Sequence, residues 1–238
     1  MKRISLNTHG GGRLEIHGSM AARRIWVILG RENFRQDDAL IARLINHFAG
    51  SGRTILRYES HAVVTTRLID RKCFGYLPFF VRQGLKAILL LAFPARWRHY
   101  SSRYRAEQNS IAYRTHSLRE LIRFLGPEKE VVLLTRSAGG RVATMIADQA
   151  GVKKVVCLGY PFKHPDHAAE PERYIHLKNL QTPLLILQGK QDAYGGYATA
   201  GCYPLGRNTR IEWIDTDHGF NLSEVEWGRI LNLIDTFI

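Results

Sequence analysis

The stretch Glu130-Val-Val-Leu-Leu-Thr-Arg-Ser-Ala-Gly-Gly-Arg-Val-Ala143 decides how this sequence folds. Val131 to Leu134 is a short apolar run, the pattern of a strand buried on both faces. Ala143 to Ala150 reads as a helix, with Gly151 as its C′ stop. Between them, Thr135-Arg136-Ser137-Ala138-Gly139-Gly140 supplies small residues where a strand must turn sharply into a helix. Such an elbow lifts a serine oxygen above the edge of a sheet. It also turns the amide of Ala138 toward the place where an oxyanion would develop. The usual form is Gly-x-Ser-x-Gly, and here Thr135 stands at its first position. On this stretch alone, a plain strand-to-helix turn without chemistry stays equally open.

Outward from the elbow, strand patterns alternate with helical ones. Ile4–Leu6 and Leu14–His17 read as short strands separated by a glycine turn, Gly10–Gly12. Arg24–Leu29 is a buried strand ended by Gly30. Asp37 and Asp38 open a helix whose apolar residues Leu40, Ile41, Leu44, Ile45 and Phe48 keep helical spacing. Thr54–Tyr58 is the next strand, and Leu118–Leu125 a helix stopped by Gly126-Pro127. Beyond the elbow, 154–158, 183–188 and 210–214 are strands, and a C-terminal helix carries Val225, Trp227, Ile230, Leu231, Leu233 and Ile234. Strand, helix, strand in repetition argues for an α/β fold, a mostly parallel sheet with helices on both faces. At 238 residues, one domain spanning 1–238 is expected.

The cysteines Cys73, Cys157 and Cys202 form no CxxC pair, which favours reduced thiols and a cytoplasmic setting. Cys157 lies in an apolar strand and reads as a buried small hydrophobe. The N-terminus lacks the apolar core of a secretory signal, and no apolar run reaches the roughly 18 residues of a membrane span. The net charge is +13. That balance suits nucleic acid, an anionic membrane surface or an acidic substrate, and equally a merely solvated basic surface. His164 and His167 flank a proline with no further ligand nearby, so no metal site is expected.

Residues 61–114 break the alternation and read as a helical insertion. Phe79–Phe93 is apolar and aromatic, and Arg96-Trp-Arg-His-Tyr-Ser-Ser-Arg-Tyr-Arg105 is basic with interleaved aromatics. Three readings compete: a lid over an acyl-type substrate, an interfacial helix making peripheral membrane contact through 79–105, and an ordinary packed excursion. Single-stranded nucleic acid also suits arginine with aromatics. No accompanying nucleic-acid signature is present, and no specific nucleic-acid partner is expected.

Three polar residues each fall just past the carboxyl end of an expected parallel strand: Ser137, Asp192 and His218. Parallel strands end on one side of a sheet, so these loops converge. A serine hydroxyl is a weak nucleophile until a base takes its proton. Histidine has a suitable pKa for that base, and a carboxylate holds its tautomer. Asp215 and Asp217, on the histidine's own loop, are alternative acids.

The segments Thr135-Arg-Ser-Ala-Gly139, Leu187-Gln-Gly-Lys-Gln-Asp192 and Asp217-His-Gly-Phe220 resemble the α/β-hydrolase superfamily, nearest to its small dienelactone-hydrolase and esterase-like members. The resemblance runs from Arg24 onward and leaves 61–114 unmatched. It implies Ser137 as nucleophile, Asp192 as acid and His218 as base. It further implies an oxyanion hole from the amide of Ala138 and one from Gly30 or Arg31, with no cofactor. Arg136 and Phe34 are candidate substrate contacts. Arg31, Arg35 and Arg136 near the site suggest an acidic group on a small acyl ester substrate. The expected function is a serine hydrolase that cleaves a carboxylic ester or thioester through an acyl-serine. The alternatives are a non-catalytic protein of this fold binding a partner or anionic surface, and an acyltransferase using the same serine.

Overall fold

The computed structural model describes residues 2–6, 12–31, 34–60, 76–92, 110–149, 151–167 and 170–238. Eight strands form one sheet: β1 (Lys2–Leu6), β2 (Gly12–His17), β3 (Arg24–Leu29), β4 (Thr54–Ser60), β5 (Glu130–Arg136), β6 (Val152–Leu158), β7 (Leu184–Gly189) and β8 (Thr209–Ile214). Their spatial order is β1-β2-β4-β3-β5-β6-β7-β8. β1 pairs antiparallel with β2, and β2 antiparallel with β4; every other pairing is parallel. The five α-helices among the described residues are α1 (Phe34–Gly50), α2 (Phe79–Ala92), α3 (Ile111–Leu125), α4 (Ala138–Thr144) and α5 (Glu224–Phe237).

Side chains alternate between two cores because successive residues of a strand face opposite ways. Ile25, Val27 and Leu29 of β3, with Val131 and Leu133 of β5, join α3 and α4 on one face. Trp26 and Ile28, with Val132 and Leu134, join α1 and α5 on the other. The runs 25–29 of β3 and 131–134 of β5 are therefore apolar without interruption. Covering both faces is what leaves the carboxyl edge of the parallel strands as the place where loops gather.

Helix boundaries differ from the sequence expectation in three places. α1 begins a turn earlier than Asp37, at Phe34. α3 begins at Ile111, because Ser110 accepts a hydrogen bond from the Tyr113 amide and caps two mostly polar turns before the apolar stripe. Gly126, at φ 96°, ends it. The helix expected over Ala143–Ala150 instead starts directly at the elbow and stops at Thr144. Ile146 and Gln149 then bond three residues back, to Ala143 and Ile146, and these tighter turns end the α-helical ladder. Of the insertion expected over 61–114, Phe79–Ala92 is helical as α2, and 111–114 belong to α3. Residues 61–75 and 93–109 lie outside the described residues. No helix among those described is long and apolar enough to cross a membrane.

Candidate active site

β5 delivers Ser137 and α4 leaves it. Between them the chain reverses with Ser137 at φ 50°, ψ −121°, a conformation that non-glycine residues rarely adopt. Such a backbone costs on the order of 1–3 kcal/mol and persists only where its surroundings enforce it. The surroundings here do so. The Ser137 amide donates to the Leu158 carbonyl at 3.1 Å, and the Gly140 amide donates to the Ser137 carbonyl at 2.7 Å. A Cβ on Gly139 would lie 2.7 Å from the Leu29 carbonyl oxygen and 3.0 Å from that of Gly30. Only glycine lets α4 approach the end of β3 this closely. Gly140 packs against Cys157, which is fully buried as expected, and burial pushes its thiol up to about 12.

Thr135 fits the elbow without collision. It is buried, and its hydroxyl donates to the Val156 carbonyl of β6 at 2.9 Å. The residue that departs from the glycine pattern is thus a satisfied hydrogen-bond donor between two strands.

His218 lies beyond β8 and Asp192 beyond β7. His218 Nε2 is 2.9 Å from Ser137 Oγ, and His218 Nδ1 is 2.7 Å from Asp192 Oδ2. An ionised carboxylate only accepts, so Nδ1–H donates to Asp192 and Nε2 accepts from the serine hydroxyl. The Asp192 carboxylate is closed off from solvent and held by two donors besides the imidazole. The Tyr194 amide donates to Oδ1 at 2.8 Å, and Gln188 Nε2 donates to Oδ2 at 2.9 Å. Gln188 is itself fixed, since its Oε1 accepts from the Tyr160 amide at 2.7 Å. Asp217 and Asp215 point elsewhere: Asp217 accepts from the Gly219 amide, and Asp215 from Gln191. Asp192 is the carboxylate on the imidazole.

The main-chain carbonyl of His218 is gripped from behind. Arg136 Nη2 and Arg31 Nη2 both donate to it, the latter at 2.9 Å. Arg136 Nη1 donates to the Leu158 carbonyl at 2.9 Å, and its guanidinium lies 4.8 Å over the Phe220 ring. This corrects the expectation that Arg136 meets substrate. The side chain is 1% exposed and braces the histidine loop from beneath. The Arg31 guanidinium, too, is engaged with that loop rather than held out toward an acidic ligand. Gly30 and Arg31 stand beyond the end of β3, with Gly30 against the first turn of α4, and the Gly30 carbonyl accepts from Arg114 Nη2 at 2.8 Å. Ala138 is the first residue of α4, so its N–H has no acceptor within the helix. Phe34 opens α1, and its side chain, like that of Arg35, lies outside the description.

Burial pushes the His218 imidazole below its ordinary pKa. The Asp192 hydrogen bond and charge pull it up, while the charges of Arg136 and Arg31 push it down. The balance favours a neutral imidazole at neutral pH, the form that accepts a proton.

The family model described as an alpha/beta hydrolase domain matches residues 81–229, more than half of the chain. The chain belongs to the alpha/beta-hydrolase family. No protein of curated function matches this hydrolase in sequence. Among solved structures it is similar to a predicted CIB-like hydrolase from Thermoplasma acidophilum, at TM-score 0.63 and 14% identity, over 99% of this chain and 97% of that one. XC6422 from Xanthomonas campestris, described as an α/β serine hydrolase without lid, gives TM-score 0.58 and 12% identity, over 100% and 94%. The esterase Pf2001 of Pyrococcus furiosus gives 0.58 and 11%, over 99% and 88%. At these identities the likeness is one of fold.

The residues absent from the sequence expectation are Gln188 and Tyr194, which hold the carboxylate, and the bracing role of Arg31 and Arg136. Gln188 had a visible signal, a polar side chain closing the apolar run of β7 next to Gly189. The arginines had none, because a carbonyl as acceptor leaves no trace in residue type.

Proposed function

We propose that this alpha/beta hydrolase is a serine hydrolase that cleaves a carboxylic ester or thioester through an acyl-serine. The observation that carries the reading is the unbroken hydrogen-bonded chain Ser137–His218–Asp192, on a serine held at φ 50°. Ser137 Oγ attacks the acyl carbon as its proton passes to His218 Nε2, and Asp192 stabilises the imidazolium so formed. The developing oxyanion is met by the amide of Ala138 and by one from the Gly30–Arg31 turn. As the tetrahedral species collapses, His218 returns the proton to the departing alcohol or thiol. Water then enters, gives its proton to His218, and releases the carboxylic acid and free serine. The step uses no cofactor.

Fluorophosphonate labelling tests this directly. Wild-type protein is expected to take up the probe on the peptide containing Ser137 and to turn over a short p-nitrophenyl ester. Ser137→Ala is expected to lose both while keeping its melting temperature. Labelling elsewhere, or undiminished turnover in the variant, would remove the reading.

A further inference from the structure

Helix α2 exposes a stripe of apolar residues. Phe80, Val81, Gly84, Ala87, Ile88 and Leu91 recur at spacings of one, three and four residues, which places them on one stripe of a 3.6-residue helix. All six are exposed. Phe80 and Leu91 are 84% exposed and Ile88 is 60% exposed, and Tyr76, just before the helix, is fully exposed. Neither of the two cores among the described residues includes a side chain of α2. Isolated exposed apolar residues are ordinary, but a contiguous stripe marks a surface with a partner.

Charge identifies the partner. From Arg71 to Ala106 the sequence carries eight lysines and arginines and neither aspartate nor glutamate. A second copy of this chain would bring a like charge of +13 against it. A nucleic acid would answer the charge but offers no apolar phase to Phe80, Ile88 and Leu91. An anionic bilayer offers both at once: lipid phosphates for the cations and an acyl boundary for the stripe. The length agrees, since 14 residues span about 21 Å at 1.5 Å per residue, short of the roughly 30 Å of a hydrocarbon core. Such a helix lies on a membrane rather than through it.

We propose that α2 forms a docking surface for anionic lipid membranes, with the Phe80–Leu91 stripe seated at the headgroup–acyl boundary. The proposal is independent of the reaction assigned to Ser137.

Co-sedimentation of the full chain with vesicles tests it. The protein is expected to pellet with phosphatidylcholine vesicles holding about one-third phosphatidylserine, and to do so far less with phosphatidylcholine alone. Phe80→Gln with Leu91→Gln keeps the charge and is expected to lower partitioning at least about tenfold. Val225→Gln, at an exposed apolar residue on α5, is expected to leave it unchanged. An unchanged melting temperature in vesicle-free solution reports that the fold of each variant is intact. Phe80→Trp supplies a second readout that preserves the stripe: a blue shift of its emission on anionic vesicles. Failure to pellet with anionic vesicles at low salt would overturn the proposal, as would undiminished pelleting of the double variant or a Phe80→Trp emission that vesicles leave unmoved. A wild-type dimer that the double variant splits would give the stripe to a second copy instead.

Discussion

Arg136 and Phe80 stand in each other's expected places. The arginine is 1% exposed and the phenylalanine 84% exposed. Hydropathy alone would reverse them, and the difference shows what burial obeys in this fold. A guanidinium enters the interior when its donors meet acceptors there, and Arg136 meets the Leu158 and His218 carbonyls beneath the Phe220 ring. An aromatic ring stays outside when the sheet is already covered, and α1, α3, α4 and α5 cover both faces. The carboxyl edge of the sheet is thus a region whose bonding is completed from within the chain. The outer face of α2 is exposed, and on the docking proposal a membrane completes it. Substitutions at the first should act on the isolated protein, and substitutions at the second only when a surface is offered.

The deepest way to break the closed region is at Asp192. Asp192→Asn keeps the shape but replaces an acceptor by an amide that can donate, so the imidazole loses its fixed tautomer and its counter-charge. A fall in kcat of about 10⁴-fold is expected on a p-nitrophenyl ester. Activity within tenfold of wild type would show that the imidazole does not depend on this carboxylate.

Much of that region could be read before any coordinates. β3, β5 and β7 are continuous apolar runs because both their faces are covered, and parallel strands bring Ser137, Asp192 and His218 to one edge whatever the loop lengths. What could not be read depends on bonds to main chain. Arg136 lies 82 residues from the carbonyl it grips, and nothing in the identity of either residue announces the pairing. The first two turns of α3 were hidden for a related reason: Thr115, His116 and Ser117 break the apolar period, and the cap at Ser110 is the only local mark of the start. The helix after the elbow was displaced toward Ala150 because its amphipathic pattern continues into Ile146 and Ala147, which are buried in tight turns rather than in helix.

A shallower break tests the brace itself. Arg136→Met leaves the His218 and Leu158 carbonyls without these donors and removes a positive charge near the imidazole. A loss of about 1–3 kcal/mol in stability is expected, with kcat down about 10- to 100-fold as His218 shifts against Ser137. The pH profile separates position from charge. In the wild type, kcat/KM should fall on the acid side as His218 protonates, and its pKa lies below the ordinary histidine value, so that limb lies below about pH 6.5. Arg136 contributes to the lowering. Without its charge the pKa rises, and the limb moves to higher pH. Arg136→Lys retains the charge but not the two-pronged grip, and should lower kcat while leaving the limb in place. An unmoved limb in Arg136→Met would mean that the guanidinium acts by position alone.

The gentlest break is at Thr135, and it asks whether the elbow suffers from lacking a glycine. The Thr135 hydroxyl bonds across to β6, so its removal in Thr135→Val should cost about 1 kcal/mol, or about 2–4 °C in Tm. Turnover should be unchanged, because the lost bond lies between strands and touches neither Ser137 nor His218. Thr135→Gly writes the commoner motif, yet it removes the same bond and adds backbone freedom to a buried strand. It should be less stable than Thr135→Val and no faster. A glycine variant with higher kcat would show that the threonine strains the serine out of line. The expected result places the requirement for small residues at Gly139, where main chain meets main chain, and frees the position before Arg136 for any side chain that finds a partner on β6.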